Sequence, residues 1–338
     1  RSALEWQTAA WHYVEQIGEL NFAFNLVGQL VSRISCHAAF VSSSTDVPVS
    51  CSEISDSFED KKGDFAGSRV LQASRKAMDL VNELLPAAHQ ASFLQQMALN
   101  LCVTGELYVV HNPYLDRYVV ASINELVVGG SGRVKNVLRT SRAGGSEVPL
   151  PDNAYAARIW RRHPRYSGDA ISSMRGVLDA CEQLMLTDQA VRAILRSRLS
   201  AGAWYIPTGL APTSGQDLEA AIIEATTQPV EDETSAAQVT PLIITGPPDI
   251  GQHIKRLDMA RPLEETLLQA QDRALERILR GIDVPKDVVS GLADVKYSNA
   301  ITIDDNLFKA HVEPLILLIC DALSMVYLQP ALRAAGVD

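Results

Sequence analysis

Apolar residues recur every three or four positions over long stretches of this chain, and those stretches predict helices. Trp6, Ala10, Tyr13 and Ile17, then Leu26, Leu30 and Ile34, mark a helix over residues 4–40 with a break near Gly18. Residues 42–68 are rich in Ser, Asp and Gly and carry Glu53, Asp56, Glu59, Asp60 and Asp64, which predicts a solvated loop. A second helix over residues 67–100 has Leu71, Ala77, Leu80, Val81, Leu84 and Leu85 on its apolar side, and Pro86 splits it. The period then shortens. Leu107–Val110 and Tyr118–Val120 read as strands around an Asn112-Pro113 turn, followed by candidate strands at Glu125–Val128, Val134–Leu138 and Ala156–Trp160.

Helical spacing returns over residues 169–199 through Ile171, Met174, Leu178, Cys181 and Met185. Residues 202–251 hold short strand signals at Trp204–Pro207 and Gln238–Thr245 and a modest helix at Gln216–Thr226. A further long helix runs from Pro262 to Arg280, with Gly281 ending it. A last helix starts near Thr302. Pro314 inside it removes a backbone hydrogen bond and crowds the preceding turn, so a kink is expected there. The fold class is therefore α+β, with a small α/β insert between two long helices.

Composition excludes several classes. Hydrophobic residues at 47% and charged residues at 21% describe an ordinary globular chain of 338 residues. The net charge of −10 disfavours tight binding to a phosphate backbone. Cys36, Cys51, Cys102, Cys181 and Cys320 are odd in number and widely spaced, so reduced thiols are expected rather than a disulfide framework. The most apolar run, Leu315–Leu328, is broken by Asp321 and Ser324 and is shorter than the roughly 20 residues a bilayer span takes. No membrane partner is expected.

Catalytic patterns are missing from the sequence. It has no G-x-x-x-x-G-K-[ST], H-E-x-x-H or G-x-S-x-G, and its seven histidines are scattered. Neither a metal nor a cofactor is expected. A hydrolase built on His163 or His311 with nearby acids is the enzyme alternative. Arg158, Arg161, Arg162 and Arg165 form a basic cluster that would meet DNA or acidic side chains of a neighbouring subunit, or simply be solvated.

The order of these elements resembles the portal proteins of long-tailed double-stranded DNA bacteriophages. Local stretches carry the resemblance: Ile282-Asp283-Val284-Pro285 with Gly291-Leu292, Tyr297-Ser298-Asn299-Ala300, and Phe308 followed by Val312-Glu313-Pro314-Leu315. Arg161–Ser167 ahead of one long helix, and Ser197-Arg198-Leu199 ahead of Tyr205-Ile206-Pro207, resemble portals of phages that infect actinobacteria. The resemblance implies a wing (1–168), a first stem helix (169–200), a clip (201–257) and a second stem helix (258–281). A wing return with a tunnel loop (282–301), a Pro-kinked tunnel helix (302–329) and the start of a short crown (330–338) complete it.

It further implies a non-enzymatic ring, usually a dodecamer, at one capsid vertex of the virion, assembled in the host cytoplasm. Expected partners are the major capsid protein, a terminase motor, a head–tail adaptor at the clip, and double-stranded DNA passing without sequence specificity. Lys296, Tyr297, Ser298 and Asn299 would face DNA on the tunnel loop, with Lys286 and Lys296 touching phosphates transiently. Another ring-forming head–tail connector is the nearest alternative.

Overall fold

The computed structural model describes residues 3–41, 48–59, 65–112, 115–128, 134–139, 147–149, 155–196, 203–207, 242–246, 255–257, 265–290 and 305–336. They divide into two compact units. One comprises residues 1–178 and 279–338, the other 179–278.

The first unit is built on helices α1 (Ala3–Gln16), α2 (Gly18–Ser32), α3 (Cys51–Glu59), α4 (Phe65–Leu84) and α5 (Gln90–Val103). The expected break near Gly18 falls at Ile17, and the split at Pro86 lies between α4 and α5. Residues 48–59, read from sequence as loop, instead hold strand β2 (Pro48–Ser50) and α3. Strand β2 pairs antiparallel with β1 (Ala39–Val41). Cys51 is buried with Ala38 and Ala77 and donates its N–H to the Ala38 carbonyl. Among the described side chains of α3, Cys51 is buried and Ile54 half-buried, while Glu53 and Asp56 are exposed.

Three antiparallel strands form the central sheet in the order β4-β3-β8: β3 (Glu106–Asn112), β4 (Arg117–Ala121) and β8 (Tyr155–Trp160). Strand β3 is central and buried over almost its whole length, which explains its unbroken Leu-Tyr-Val-Val run. Helix α5 packs against it, with Leu94, Met97 and Leu101 fully buried. A second antiparallel sheet, β5 (Leu126–Val128), β6 (Val134–Arg139) and β7 (Glu147–Pro149), adds a strand that the sequence pattern did not mark.

Gly105 turns the chain from α5 into β3. Its φ of +76° is open to glycine, and an added Cβ would stand 2.3 Å from the Ile171 carbonyl oxygen. Its own carbonyl accepts the Arg161 N–H, and the Arg161 carbonyl accepts the Ile171 N–H. These pairings keep residues 169–173 out of the helix. As a result α6 (Met174–Arg196) starts five residues later than periodicity predicts. The Ser172 hydroxyl accepts the Met174 N–H at its start.

Helix α7 (Glu265–Gly281) ends as expected, for a different reason. The left-handed residue is Asp283, with φ 60°, not Gly281. The Val284 N–H reaches the Leu279 carbonyl and the Asp283 N–H reaches that of Arg280, a Schellman closure with both Leu279 and Val284 buried. Gly281 is needed for proximity, since a Cβ there would lie 2.2 Å from Val177 Cγ1 on α6. Part of the following expected loop is a short helix, α8 (Lys286–Ser290).

The last helix, α9, runs from Asp305 to Ala334. Its turns open to π geometry at Phe308–Val312 and again at Ser324–Leu328. Pro314 and Pro330 each stand just past one of these segments. A proline offers no N–H to the carbonyl four residues back and pushes against it, and a wider turn moves that carbonyl aside. The expected disturbance at Pro314 is thus taken up as a π turn, and a second occurs at Pro330. Leu307, Val312, Leu315, Ile319 and Leu323 are buried, and Leu328 and Leu332 pack against the cluster around Ala38, Cys51 and Ala77. The steps along this stripe are five residues across each π turn and three or four elsewhere, so the wide turns keep it aligned. At 30 residues the helix as a whole is long and apolar enough to cross a membrane, unlike the Leu315–Leu328 run alone.

In the second unit, β10 (Leu242–Gly246) runs parallel to β9 (Ala203–Pro207), and β11 (Lys255–Leu257), unmarked in sequence, pairs antiparallel with the other edge of β9. Within this unit α6 and α7 lie antiparallel, joined by Arg277 to Gln183 and by Gln271 to Asp188. The expected helix at Gln216–Thr226 lies outside the described residues.

Replacing Gly105 with Ala is expected to cost more than about 2 kcal/mol, because strain and a backbone clash coincide. Gly176→Ala, with nothing within 4 Å of the new methyl group, should stabilise α6 by up to ~1 kcal/mol. Urea titration of the two variants checks the contrast. Equal stability of both would remove the assigned role of Gly105.

Candidate functional site

Three places are candidates: the basic segment around Trp160, the turn that follows α7, and the outer surface of α9. In the first, the four arginines do not act together. The Arg158 Nε donates to Glu106 Oε2 at 2.8 Å, its Nη2 lies 2.6 Å from the same oxygen, and its Nη1 donates to the Gly168 carbonyl. Glu106 is only 5% exposed and also accepts from Gln7 Nε2 at 2.5 Å and from the Tyr108 hydroxyl. This guanidinium therefore serves the fold. It also lies over the Trp160 ring at 4.6 Å, and Arg162 lies over the same ring at 5.3 Å.

Arg161 is half-buried and bonded through its backbone. Arg162 and Arg165 are exposed, and Arg165 sits over the ring of Tyr166, which is itself 52% exposed. Surface contacts from this cluster thus fall to Arg162, Arg165 and Tyr166.

The second place is a cavity of about 200 Å³ in the first unit, lined by Val27, Cys102, Arg161, Ser173, Asp283 and His311 among others. His311 Nε2 lies 2.8 Å from the Asp283 carbonyl. A carbonyl only accepts, so Nε2 carries the proton and that edge of the ring is occupied. His163 Nδ1 accepts the N–H groups of Arg165 and Tyr166. Of the nearby acids that the hydrolase alternative invokes, Asp283 places its Oδ2 3.9 Å from His311 Nε2, and neither histidine hydrogen-bonds a Ser, Thr or Cys side chain among the described residues. Among the described residues no group of His, Cys, Asp and Glu is placed to hold a metal ion.

On the third, Phe308 (42%), Leu317 (57%), Met325 (64%) and Val326 (44%) are exposed. Sequence reading used Phe308 as a motif residue and counted Leu317, Met325 and Val326 in the apolar run Leu315–Leu328, but gave none of them a surface role. Their signal was present nonetheless, since α9 is apolar on more sides than one buried stripe can use. Pro314 lies exposed beside this surface. Lys286 is exposed at the start of α8, whereas Lys296, Tyr297, Ser298 and Asn299 lie outside the described residues.

No protein-family model matches the chain, and no curated protein matches it. Solved structures do. A chain in the neck of an empty gene transfer agent particle, computed with C6 symmetry, matches at a TM-score of 0.54 and 14% identity, with 96% of this chain and 80% of that one covered. The virion of a native gene transfer agent particle gives 0.46 at 16% identity over 88% and 84%. An HK97-family phage portal protein from Corynebacterium diphtheriae gives 0.39 at 13% identity over 77% and 88%. The likeness to the neck chain shows a shared fold.

Arg158→Ala strands the Glu106 carboxylate in the interior and is expected to cost about 3 kcal/mol. Arg162→Ala and Arg165→Ala should each stay within about 0.5 kcal/mol of the parent. Chemical denaturation of the three variants decides whether the cluster is split in this way.

Proposed function

We propose that this chain is the subunit of a portal ring, a closed ring of copies whose axial channel carries double-stranded DNA into and out of a capsid. The outer surface of α9 is the observation that carries the reading. One side of this helix is buried in its own unit, while Phe308, Leu317, Met325 and Val326 lie bare. Apolar surface of this kind calls for a partner, and in a closed ring neighbouring copies supply it to one another. The fold shared with a chain from a particle neck supports the same arrangement.

On this reading the ring has twelve members and sits at one vertex of the virion, held by the major capsid protein. Residues 201–257, which include the small β9–β11 sheet of the second unit, are the clip, which meets the terminase motor during packaging and a head–tail adaptor afterwards. Residues 296–299 face DNA ahead of α9, and Lys286 and Lys296 make passing phosphate contacts. The charge of −10 keeps DNA from adhering to the wall. Arg162 and Arg165 serve contacts between subunits. The protein guides DNA and leaves chemistry to the motor.

A bilayer would also cover a helix of this length and apolarity, so the test separates the two. The protein purified without detergent should form rings with a central channel in negative-stain electron microscopy. The double variant Leu317→Glu, Met325→Glu should keep its circular dichroism spectrum yet sediment as a monomer. A parent protein that is monomeric at all concentrations, or that needs detergent for extraction, would overturn the proposal. Shortening Ala293–Ala300 is expected to leave rings intact and to lower the DNA packaged per particle.

A further inference from the structure

The cavity of about 200 Å³ in the first unit is lined by two kinds of residue. Phe24, Val27, Ile282 and Val284 are apolar, and all four are buried. Arg161, Ser173 and His311 are polar. Ser173 and Ala310 are exposed and mark the rim where the cavity meets solvent.

Arg161 is the member without a match. Its N–H donates to the Gly105 carbonyl and its carbonyl accepts from Ile171. Its guanidinium, on a half-buried residue, has no hydrogen-bond or ion-pair partner among the described residues. The guanidinium of Arg158, by contrast, is held by Glu106 and Gly168. Side chains alternate along β8 and its continuation, so Arg161 falls on the side of the fully buried Ile159, away from Arg158 and Trp160. Cys102 of α5 lines the same cavity and registers the charge: burial pushes its thiol up, and Arg161 pulls it the other way.

A cation drawn partly out of water calls for an anion. Asp283 lines the cavity but does not supply one, because its side chain is 86% exposed and its Oδ2 lies 3.9 Å from His311 Nε2. The Ser173 hydroxyl has no partner among the described residues and is free to donate. Helix α6 begins at the next residue, and the positive end of a 23-residue helix favours negative charge there. Its first three N–H groups are already bonded to Ser172 and Ser173, so this end contributes its field and no further hydrogen bond.

We propose that this cavity binds a small carboxylate that carries a compact apolar body. Arg161 takes the carboxylate through paired N–H groups, Ser173 donates to the same group, and Phe24, Val27, Ile282 and Val284 cover the body. The planar fork of a guanidinium matches a planar carboxylate. A phosphate ion would meet the fork as well but would leave the apolar wall unused. A water molecule takes about 30 Å³ of liquid, so the cavity has room for a molecule of several heavy atoms. Small-molecule sites commonly have this make-up, apolar walls with a few placed polar groups.

The ligand would touch α2, the approach to α6 and the turn after α7 at once, so it would tie the two stretches of chain that make up the first unit. Binding should therefore stabilise that unit. The site stands on its own geometry and does not depend on the portal reading.

The test titrates the full chain with isobutyrate and with benzoate under saturation-transfer difference NMR, with inorganic phosphate as a competing arm. Saturable transfer to the apolar protons of at least one carboxylate is expected. The bound carboxylate should also slow modification of Cys102 by methyl methanethiosulfonate, read by peptide mass spectrometry, and leave Cys36 and Cys320 unaffected. Arg161→Gln should weaken binding about tenfold or more, whereas Arg117→Gln, exposed on β4, should leave it unchanged. The proposal fails if the parent shows no saturable binding, or if binding survives Arg161→Gln. Binding that leaves Cys102 equally reactive would place the ligand elsewhere and overturn it without any variant. Displacement by phosphate at equal concentration would overturn the assignment to a carboxylate with an apolar body.

Discussion

The carboxylate of Glu106 is the group on which the first unit turns. A buried charge is tolerated only when every lone pair finds a donor, and here the donors come from three places. Gln7 reaches it from α1, Tyr108 from its own strand, and Arg158 from β8. Arg158 in turn grips the Gly168 carbonyl, so the approach to α6 is tied to the same point. Next along the chain Gly105 lets the backbone pass beneath Ile171, and the Thr104 hydroxyl donates to the carbonyls of Asn100 and Glu106. Residues 104–106 thus join a helix end, a sheet and the start of a long helix, and one misplaced group would loosen all three.

Much of this plan was legible. Long amphipathic periods gave most of the helices of the first unit, and Pro86 and Gly18 marked breaks because backbone chemistry there is local. What escaped depends on partners distant in sequence. The arginines around Trp160 read as one basic patch because Glu106, the partner of Arg158, stands 52 positions away. Residues 169–173 carry helical spacing, yet their backbone is committed to Arg161. Gly281 read as a cap, while its task is to let α7 approach Val177. The acids of α3 hid a helix whose first residue, Cys51, is buried against Ala38 and Ala77.

The outer surface of α9 was the least legible feature. Hydrophobic spacing reports that a residue is covered, not what covers it. Val312 and Leu315 are covered within the chain, whereas Leu317 and Met325 are left bare by it. Only a three-dimensional account of the first group exposes the second. The same accounting explains why the arginines matter less as a group than as individuals, for Arg158 is consumed inside and Arg162 is not.

The π turns of α9 have a consequence for how such a chain can vary. Each holds one residue more than a regular turn, and removing that residue would rotate everything beyond it by about 100° around the helix axis. Deleting a residue near Phe308 would set the rest of the helix against Leu307, and deleting one near Ser324 would swing Leu328 and Leu332 away from Ala77. Single-residue insertions and deletions should therefore be rare in this helix among related sequences, even where its surface side chains drift freely.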